Sequence, residues 1–533
     1  MANRYWVGGT GSWTSVNTAN WSTTSGGVGG ASVPTSADTI YIDSNSGSGL
    51  VSLDTTVNGK DFYYTNSNIG LTTLNTSTQF NIFGHFSISV VPYNGNCQWL
   101  NVVLLASAVS TFTCVPSLGN VTFSVVVNPL YGLLTNINCK ILSLSAGSGS
   151  CTFNLNTRTI YCSACSFGGS TSSLINGTII VTPESSGTAF LGPETMSNNS
   201  DPGRLSVVIE DSIYPTTVYL AATSSSNSIY NLTLNTIQAV CTLRFGYLNN
   251  FICSDQSKFA TWATGDSPPG NAALTLYGNL NVTGTTTHNS GDIYFRSLTP
   301  STQKNRTINV GTNSIFSGLF SIGRVGDTSN IDIYNISGSA RFSYLTLLRY
   351  TNLNNSEITI RNEFSVSSSV TTFNAGTSTI IFNPEFGEAL FSSGSRTFNN
   401  IKIEVPKTLT FQNMSGIITI NTLSCTNALG AGGSATINLD PNYAYNVTQF
   451  ILSGASNSDR VALTRNGVSG ATSIVQVNGS VVAYNADISN STTSGGAVFF
   501  APTFSGYNNT DGGGNTGWIF DSIPSSGGFF AFF

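Results

Sequence analysis

The chain has 533 residues, of which 40% are hydrophobic and only 8% charged, with 19 Lys and Arg against 24 Asp and Glu for a net charge of −5. That balance excludes disorder driven by net charge and argues against long helices with charged outer faces. It leaves no basic run to follow a nucleic-acid backbone, and no apolar run reaches the roughly 18 residues of a membrane span. Val, Ile, Thr, Phe and Tyr fit a pleated surface, and their abundance predicts a large all-β protein.

Residues 1–50 place three of the six tryptophans, Trp6, Trp13 and Trp21, among Gly, Ser, Thr and Asn. An alternating, strand-like tail follows Val33-Pro34-Thr35. The opening Met1-Ala2-Asn3-Arg4-Tyr5-Trp6 has no apolar stretch of the signal-peptide kind, so classical secretion is not expected.

Residues 51–439 are predicted as a body of short strands divided by Gly, Asn and Ser turns. The pattern is seen in "LTLYGNLNV" (274–282), "RTINVGTNSIF" (306–316) and "SNIDIYNISG" (329–338), and most clearly from Arg341 onward. Ile358, Ile380 and Ile401 are 22 and 21 residues apart, and "TFNAGTSTIIF" is echoed by "RTFNNIKIE". That spacing suits successive coils of a β-solenoid, in which each coil buries its apolar face against its neighbours. The predicted fold is a right-handed parallel β-helix. Tandem β-sandwiches are the alternative, because they also show short strands with regular turn signals. Sandwiches in series call for Pro-rich or charged linkers, and none stands out in a chain with 16 prolines. Asn-rich turns favour the helix, since Asn tolerates left-handed backbone and forms ladders between coils.

Residues 440–533 read as a further strand-rich unit, with "RVALTR", "ATSIVQV", "SVVAYNADIS" and "AVFFAP", then "NNTDGGGNTGWIF" and a final "GGFFAFF". The terminal Phe529, Phe530, Phe532 and Phe533 would form an apolar patch, which predicts burial against the chain's own coils or a second subunit.

Two of these segments resemble known sequences. The run Trp6 to Gly11, Trp13, Asn20-Trp21-Ser22, Ser25 to Gly27, Gly29-Gly30 and Ser32 to Thr35 resembles the start of structural proteins from environmental tailed phages. The "LSGASNSDRVALTRNGVSG" to "DGGGNTGWIF" stretch, which contains Trp518, is similar to β-helix-type units at the ends of such proteins and of some bacterial surface proteins. The resemblance covers about a quarter of the chain. It implies a virion protein of the fibre, spike or appendage type, associated with other virion proteins, commonly a homotrimer, and exposed on the particle. Release by lysis would then take the place of a secretion signal. On this reading Trp6, Trp13 and Trp21 cap the first coil, because an open solenoid end exposes unpaired strand edges. The same segment is the expected docking surface toward the particle.

Catalytic signals are thin. His85 and His288, the only histidines, lie in a strand and a turn with no evident partner, the usual setting of a structural imidazole. Cys162-Ser163-Ala164-Cys165 is a lone CxxC, with Cys139 and Cys151 its only near companions. Buried thiols explain it better than zinc. The nine cysteines, an odd number, make a poor disulfide framework and are expected to act mostly as small buried hydrophobes. Glycoside hydrolysis needs two carboxyls about 5–9 Å apart. Adjacent Glu210 and Asp211 would point to opposite faces of a strand. Glu385 and Glu388 in "PEFGEAL" are the candidate pair, with Glu357, Arg361 and Glu363 on a neighbouring coil. Asp511 and Asn515 offer oxygens to Ca²⁺, but Gly512 to Gly514 read better as a tight turn. Tyr443 and Tyr445 in "LDPNYAYNVTQF" are the candidate sugar-stacking residues.

The function expected from these observations is attachment of a particle to a host surface through an extended face, with glycan as the ligand class and no cofactor or metal. A polysaccharide depolymerase on the same scaffold, a bacterial surface adhesin and a purely structural capsid or tail component are the alternatives.

Overall fold

The computed structural model describes residues 2–73 and 78–89, strands and some turns between 97 and 262, and 273–520 with short gaps at 277, 297–302, 324–331, 368–369, 371, 468 and 505. The described residues form strands and turns, with no helix. The chain divides into two compact units, Met1–Thr275 and Leu276–Phe533.

Within each unit the strands pair in parallel with strands about one coil away in sequence, which is the signature of a parallel β-helix. In the second unit Ile358 pairs with Ile380, Ile380 with Ile401, Ile401 with Leu423 and Leu423 with Phe450. The 22- and 21-residue spacing is therefore the coil length at that point. All five side chains are buried, and burying each aliphatic or aromatic group contributes roughly 1.5–3 kcal/mol. A parallel column runs from Ile360 through Phe382 and Ile403 to Cys425 and Leu452. Parallel pairing across successive coils rules out tandem antiparallel sandwiches for these ladders.

Corners arise where one strand serves two sheets. In Glu357–Val366, residues 357–360 pair with Thr379–Phe382, whereas 363–366 pair with Glu388–Ser393. Arg361 and Asn362 make the bend. At another corner Gly284, Gly311 and Gly338 stack with positive φ (+85°, +73° and +99°). A Cβ on Gly311 would lie 2.0 Å from the Gly284 carbonyl oxygen. Those carbonyls accept the N–H groups of Thr312, Ser339 and Glu357 at 2.7, 2.8 and 3.0 Å. Asparagine serves other corners: Asn313, Asn354, Asn413, Asn485, Asn490 and Asn508 all have positive φ.

Asparagine also links coils through side chains. Asn81 donates to Asn58, Asn250 to Asn231, Asn309 to Asn281 and Asn352 to Asn335, at 2.8–3.0 Å. Each bond contributes about 1 kcal/mol without placing a charge on the coil. This explains how so large a fold manages with so few Lys and Glu.

In the first unit Asn3–Trp6 pairs antiparallel with Trp21–Ser22 and parallel with Thr39–Ile42. From there Ile40, Phe62, Phe86 and Phe112 follow one another in register. A second column carries Val57, Phe80, Val102, Phe123, Leu142, Cys165, Phe190, Val218 and Leu243. The ladders run through the positions expected to end the first and second segments. Gly49–Leu53 pairs with both Gly11–Trp13 and Ile69–Thr73. Ile418–Asn427 pairs with Ala444–Gly454 across residue 439.

Candidate functional site

Trp6, Trp13 and Trp21 are each 0% exposed. Trp21 lies edge-on between the other two, with ring centroids 5.2 Å from Trp6 and 4.8 Å from Trp13, and Trp13 continues onto Phe80 at 5.3 Å. The Trp6 indole donates to the Gly9 carbonyl at 2.9 Å. These rings fill the end of the first coils. Any partner of this segment meets its loops instead, where Val16 and Val28 are 80% and 93% exposed. Trp518 plays a similar part late in the second unit: it is buried, packs edge-on against Phe499 at 5.2 Å and donates to the Ser491 hydroxyl at 3.1 Å. Phe529, Phe530, Phe532 and Phe533 lie outside the described residues.

Three of the carboxylate candidates, Glu385, Glu388 and Glu210, have side-chain partners, and Glu357 and Glu363 are placed by strand register. Glu385 forms an ion pair with Arg361 at 2.9 Å. Glu388 opens the strand Glu388–Ser393 and accepts a hydrogen bond from the Thr410 hydroxyl of the next coil. Glu363 pairs in register with Tyr344 and Leu390, and Glu357 with Ser339 and Thr379. Glu210 accepts a bond from the Asn235 amide at 3.3 Å, and Asp211 lies outside the described residues.

The two tyrosine candidates part company. Tyr445 is fully buried, with its ring 5.3 Å from Phe411. Its hydroxyl accepts from the Asp440 N–H at 3.0 Å and donates to the Asp440 carbonyl at 3.3 Å. Burial pushes its phenol well above the usual range. The expectation that it is available to a sugar is therefore corrected: its position in the alternation with Val447 turns it inward. Tyr443 is half-buried in the preceding turn.

Asp511 and Asn515 hold a turn together. Asp511 Oδ1 accepts from the Gly513 N–H at 2.9 Å and the Asn515 amide at 2.7 Å, while Asn515 Oδ1 accepts from the Ser491 N–H at 3.0 Å. Cys162 and Cys165 are buried. Cys151 begins the strand Cys151–Asn154, and Cys139 lies outside the described residues. Among the described residues no three His, Cys, Asp or Glu side chains gather to hold a metal ion. The His85 N–H donates to Asp61 at 2.8 Å. His288 is buried, and desolvation, partly opposed by a backbone hydrogen bond at Ser290, brings its imidazole down to about 4.

Two outward-facing aromatic groups emerge that the sequence reading did not single out. Tyr5, Tyr41 and Tyr63 are successive partners in register and stack at 4.7 and 5.4 Å with their ring planes nearly parallel. Burial, reinforced by neighbouring phenols and Asp61, raises the Tyr41 phenol, and burial and Asp61 raise that of Tyr63. Tyr41 has a ring against each face, while Tyr63 is followed in register by Ser87. The second group is in the last coils of the second unit. Tyr484 stacks on Tyr507 at 5.0 Å and 18°, and Phe504 meets Tyr507 edge-on at 5.2 Å. Tyr484 and Phe504 are 38% and 40% exposed.

The backbone beneath that group is firmly held. Buried Asn509 accepts from the Ala486 N–H at 2.9 Å and donates to the Ala483 and Pro502 carbonyls at 2.8 and 2.9 Å. Asn508 donates to Asn485 at 3.3 Å. Alongside, Arg460 grips Asp487 through two nitrogens at 2.9 and 2.6 Å and also donates to the Asn508 carbonyl and the Thr510 hydroxyl. The hydrogen bond from Arg460 holds the Asp487 carboxyl below the usual carboxylate range. The dipeptide Tyr-Asn recurs at 484–485 and 507–508, one coil apart, but it also stands at 334–335 and 445–446, where the tyrosine is buried, so it does not mark the group.

Comparison with known protein families, with curated proteins and with solved structures returned no match.

Proposed function

We propose that this chain is a structural protein of a virus particle, an appendage of the fibre or spike type that helps the particle attach to a host surface glycan. The observation that carries this reading is the parallel β-helix in each unit, whose residues are spent on stacking coil upon coil. The tryptophan-filled first coils strengthen it. They give a physical role to the Trp6–Gly11, Trp13 and Asn20–Ser22 pattern that resembles the opening of phage structural proteins. The engagement of Glu385 by Arg361 and of Glu388 by Thr410 favours attachment over polysaccharide cleavage. Assembly as a homotrimer belongs to the same proposal.

The test is mass spectrometry with copy counting on purified particles, with the recombinant chain run unheated on a denaturing gel. A few copies per particle and a detergent-resistant oligomer are expected. A copy number matching the capsid or tail shaft would shift the role to a coat or shaft component. Absence from particles would sink the proposal.

A further inference from the structure

We infer that the open face of Tyr484 is a binding shelf for a neutral pyranose sugar. The inference deepens the attachment reading by giving a place and a class to its glycan ligand. The argument starts from the outward column that contains Tyr484. Thr426 pairs with Ser453, and Ser453 with Tyr484, on successive coils. All three alternate with buried neighbours, Cys425, Leu452 and Ala483, so their side chains point away from the core. One face of the Tyr484 ring is covered by Tyr507. The other looks along the column toward Ser453 and Thr426, whose side chains are short and carry hydroxyls.

Neighbouring coils are about 4.8 Å apart. An aromatic ring followed by two small residues therefore leaves a gap beside the ring, floored by hydroxyl groups. In the Tyr5–Tyr41–Tyr63 column the filled state is seen at Tyr41, which has a ring against each face, whereas Tyr63 is followed in register by Ser87. A pyranose matches such a gap. Its C–H face packs on an aromatic ring and its hydroxyls pair with Ser, Thr and carboxylate oxygens.

Charge narrows the class. Arg460 turns its nitrogens onto Asp487, Asn508 and Thr510. Asp487, three residues along the chain from Tyr484, keeps a side chain that is 43% exposed and ionised. Asp511 is exposed on the next coil. Arg460 is committed to Asp487, so its charge is not available to hold a uronate or sialylated sugar, and a neutral sugar is the better fit. The shelf is also preorganised: Asn485, Asn508 and Asn509 fix the backbone that carries both tyrosines.

The experiment is saturation-transfer NMR on the full chain with methyl glycosides of glucose, galactose, mannose and N-acetylglucosamine, and with methyl glucuronide as the anionic control. Two variants are compared with the parent, Tyr484→Ala and Ser453→Tyr. The second fills the gap with a ring that stacks on Tyr484, so it preserves the fold and blocks the shelf. Transfer to at least one neutral glycoside is expected, weakened about tenfold or more in both variants. No transfer to any neutral glycoside, transfer to the glucuronide alone, or transfer undiminished in Ser453→Tyr would each overturn the inference. A change of oligomeric state in Ser453→Tyr without glycoside binding would assign the shelf to a second copy of the chain, and would also overturn it. Copy counting on particles is independent of these outcomes, so loss of the shelf and loss of the attachment reading are told apart.

Discussion

Acid should weaken the second unit through His288, and the size of the effect follows from its burial. The imidazole ends the strand Thr286–His288, is 1% exposed, and has the Phe316 ring 6.2 Å away. In the unfolded chain it takes up a proton near 6.5, and in the fold only near 4. Between those values the unfolded state binds the proton and the folded state does not, so stability falls as pH drops through this window. The contribution is fully present above pH 6.5. About 2 kcal/mol is lost by pH 5, and about 3 kcal/mol once the folded state also titrates. The assay is urea unfolding of the parent and of His288→Leu between pH 4 and 8. Carboxylates titrate in both proteins, so the difference between their profiles isolates the imidazole. The variant carries its own packing offset, but that offset does not vary with pH. The difference is expected to shift by about 2 kcal/mol in favour of the variant between pH 8 and pH 5. Parallel profiles would refute the reasoning and show that the buried imidazole takes up its proton without penalty.

Three further outcomes test the scaffold. Trp21→Ala removes the ring between Trp6 and Trp13 and should cost about 3–5 kcal/mol, read as a lower melting transition and loss of the near-ultraviolet tryptophan signal. Asp332→Ala leaves the Arg306 guanidinium, 2.8 Å away, without its buried counter-charge, and should cost about 3–5 kcal/mol by urea unfolding. Gly311→Ala places a methyl group 2.0 Å from the Gly284 carbonyl oxygen at a φ of +73°. It should destabilise by more than about 1 kcal/mol, whereas Gly387→Ala, also at positive φ but with open space around it, should cost less.

The fold was legible wherever one inward residue recurs at coil spacing. Ile358, Ile380 and Ile401 stand in one column because an inward position must be apolar in every coil. The echo of Thr-Phe-Asn was a weaker guide. The Phe373 and Phe398 rings are neighbours at 5.0 Å, yet Phe373 pairs with Thr351 and Phe398 with Ile420, so the two are not partners in register. Corners explain why no single period holds. Two residues turn the chain at Arg361–Asn362, five at 383–387 and four at 404–407. These corners carry exposed and half-buried residues between the inward columns, so their length varies from coil to coil.

The site was less legible because facing direction and free surface are set by different neighbours. Tyr445 and Tyr484 are both followed by Asn, yet one is inside and the other outside. Tyr445 shares the inward parity of Val447, whereas Tyr484 follows inward Ala483 and turns out as the chain rounds a corner at Asn485, whose φ is +47°. What leaves the Tyr484 ring open is the size of Ser453, one coil back and 31 residues away along the chain. A window of sequence around either tyrosine contains no trace of that serine. In a solenoid the residue that decides whether a side chain packs or binds lies one coil distant, so function becomes readable only once the register is known.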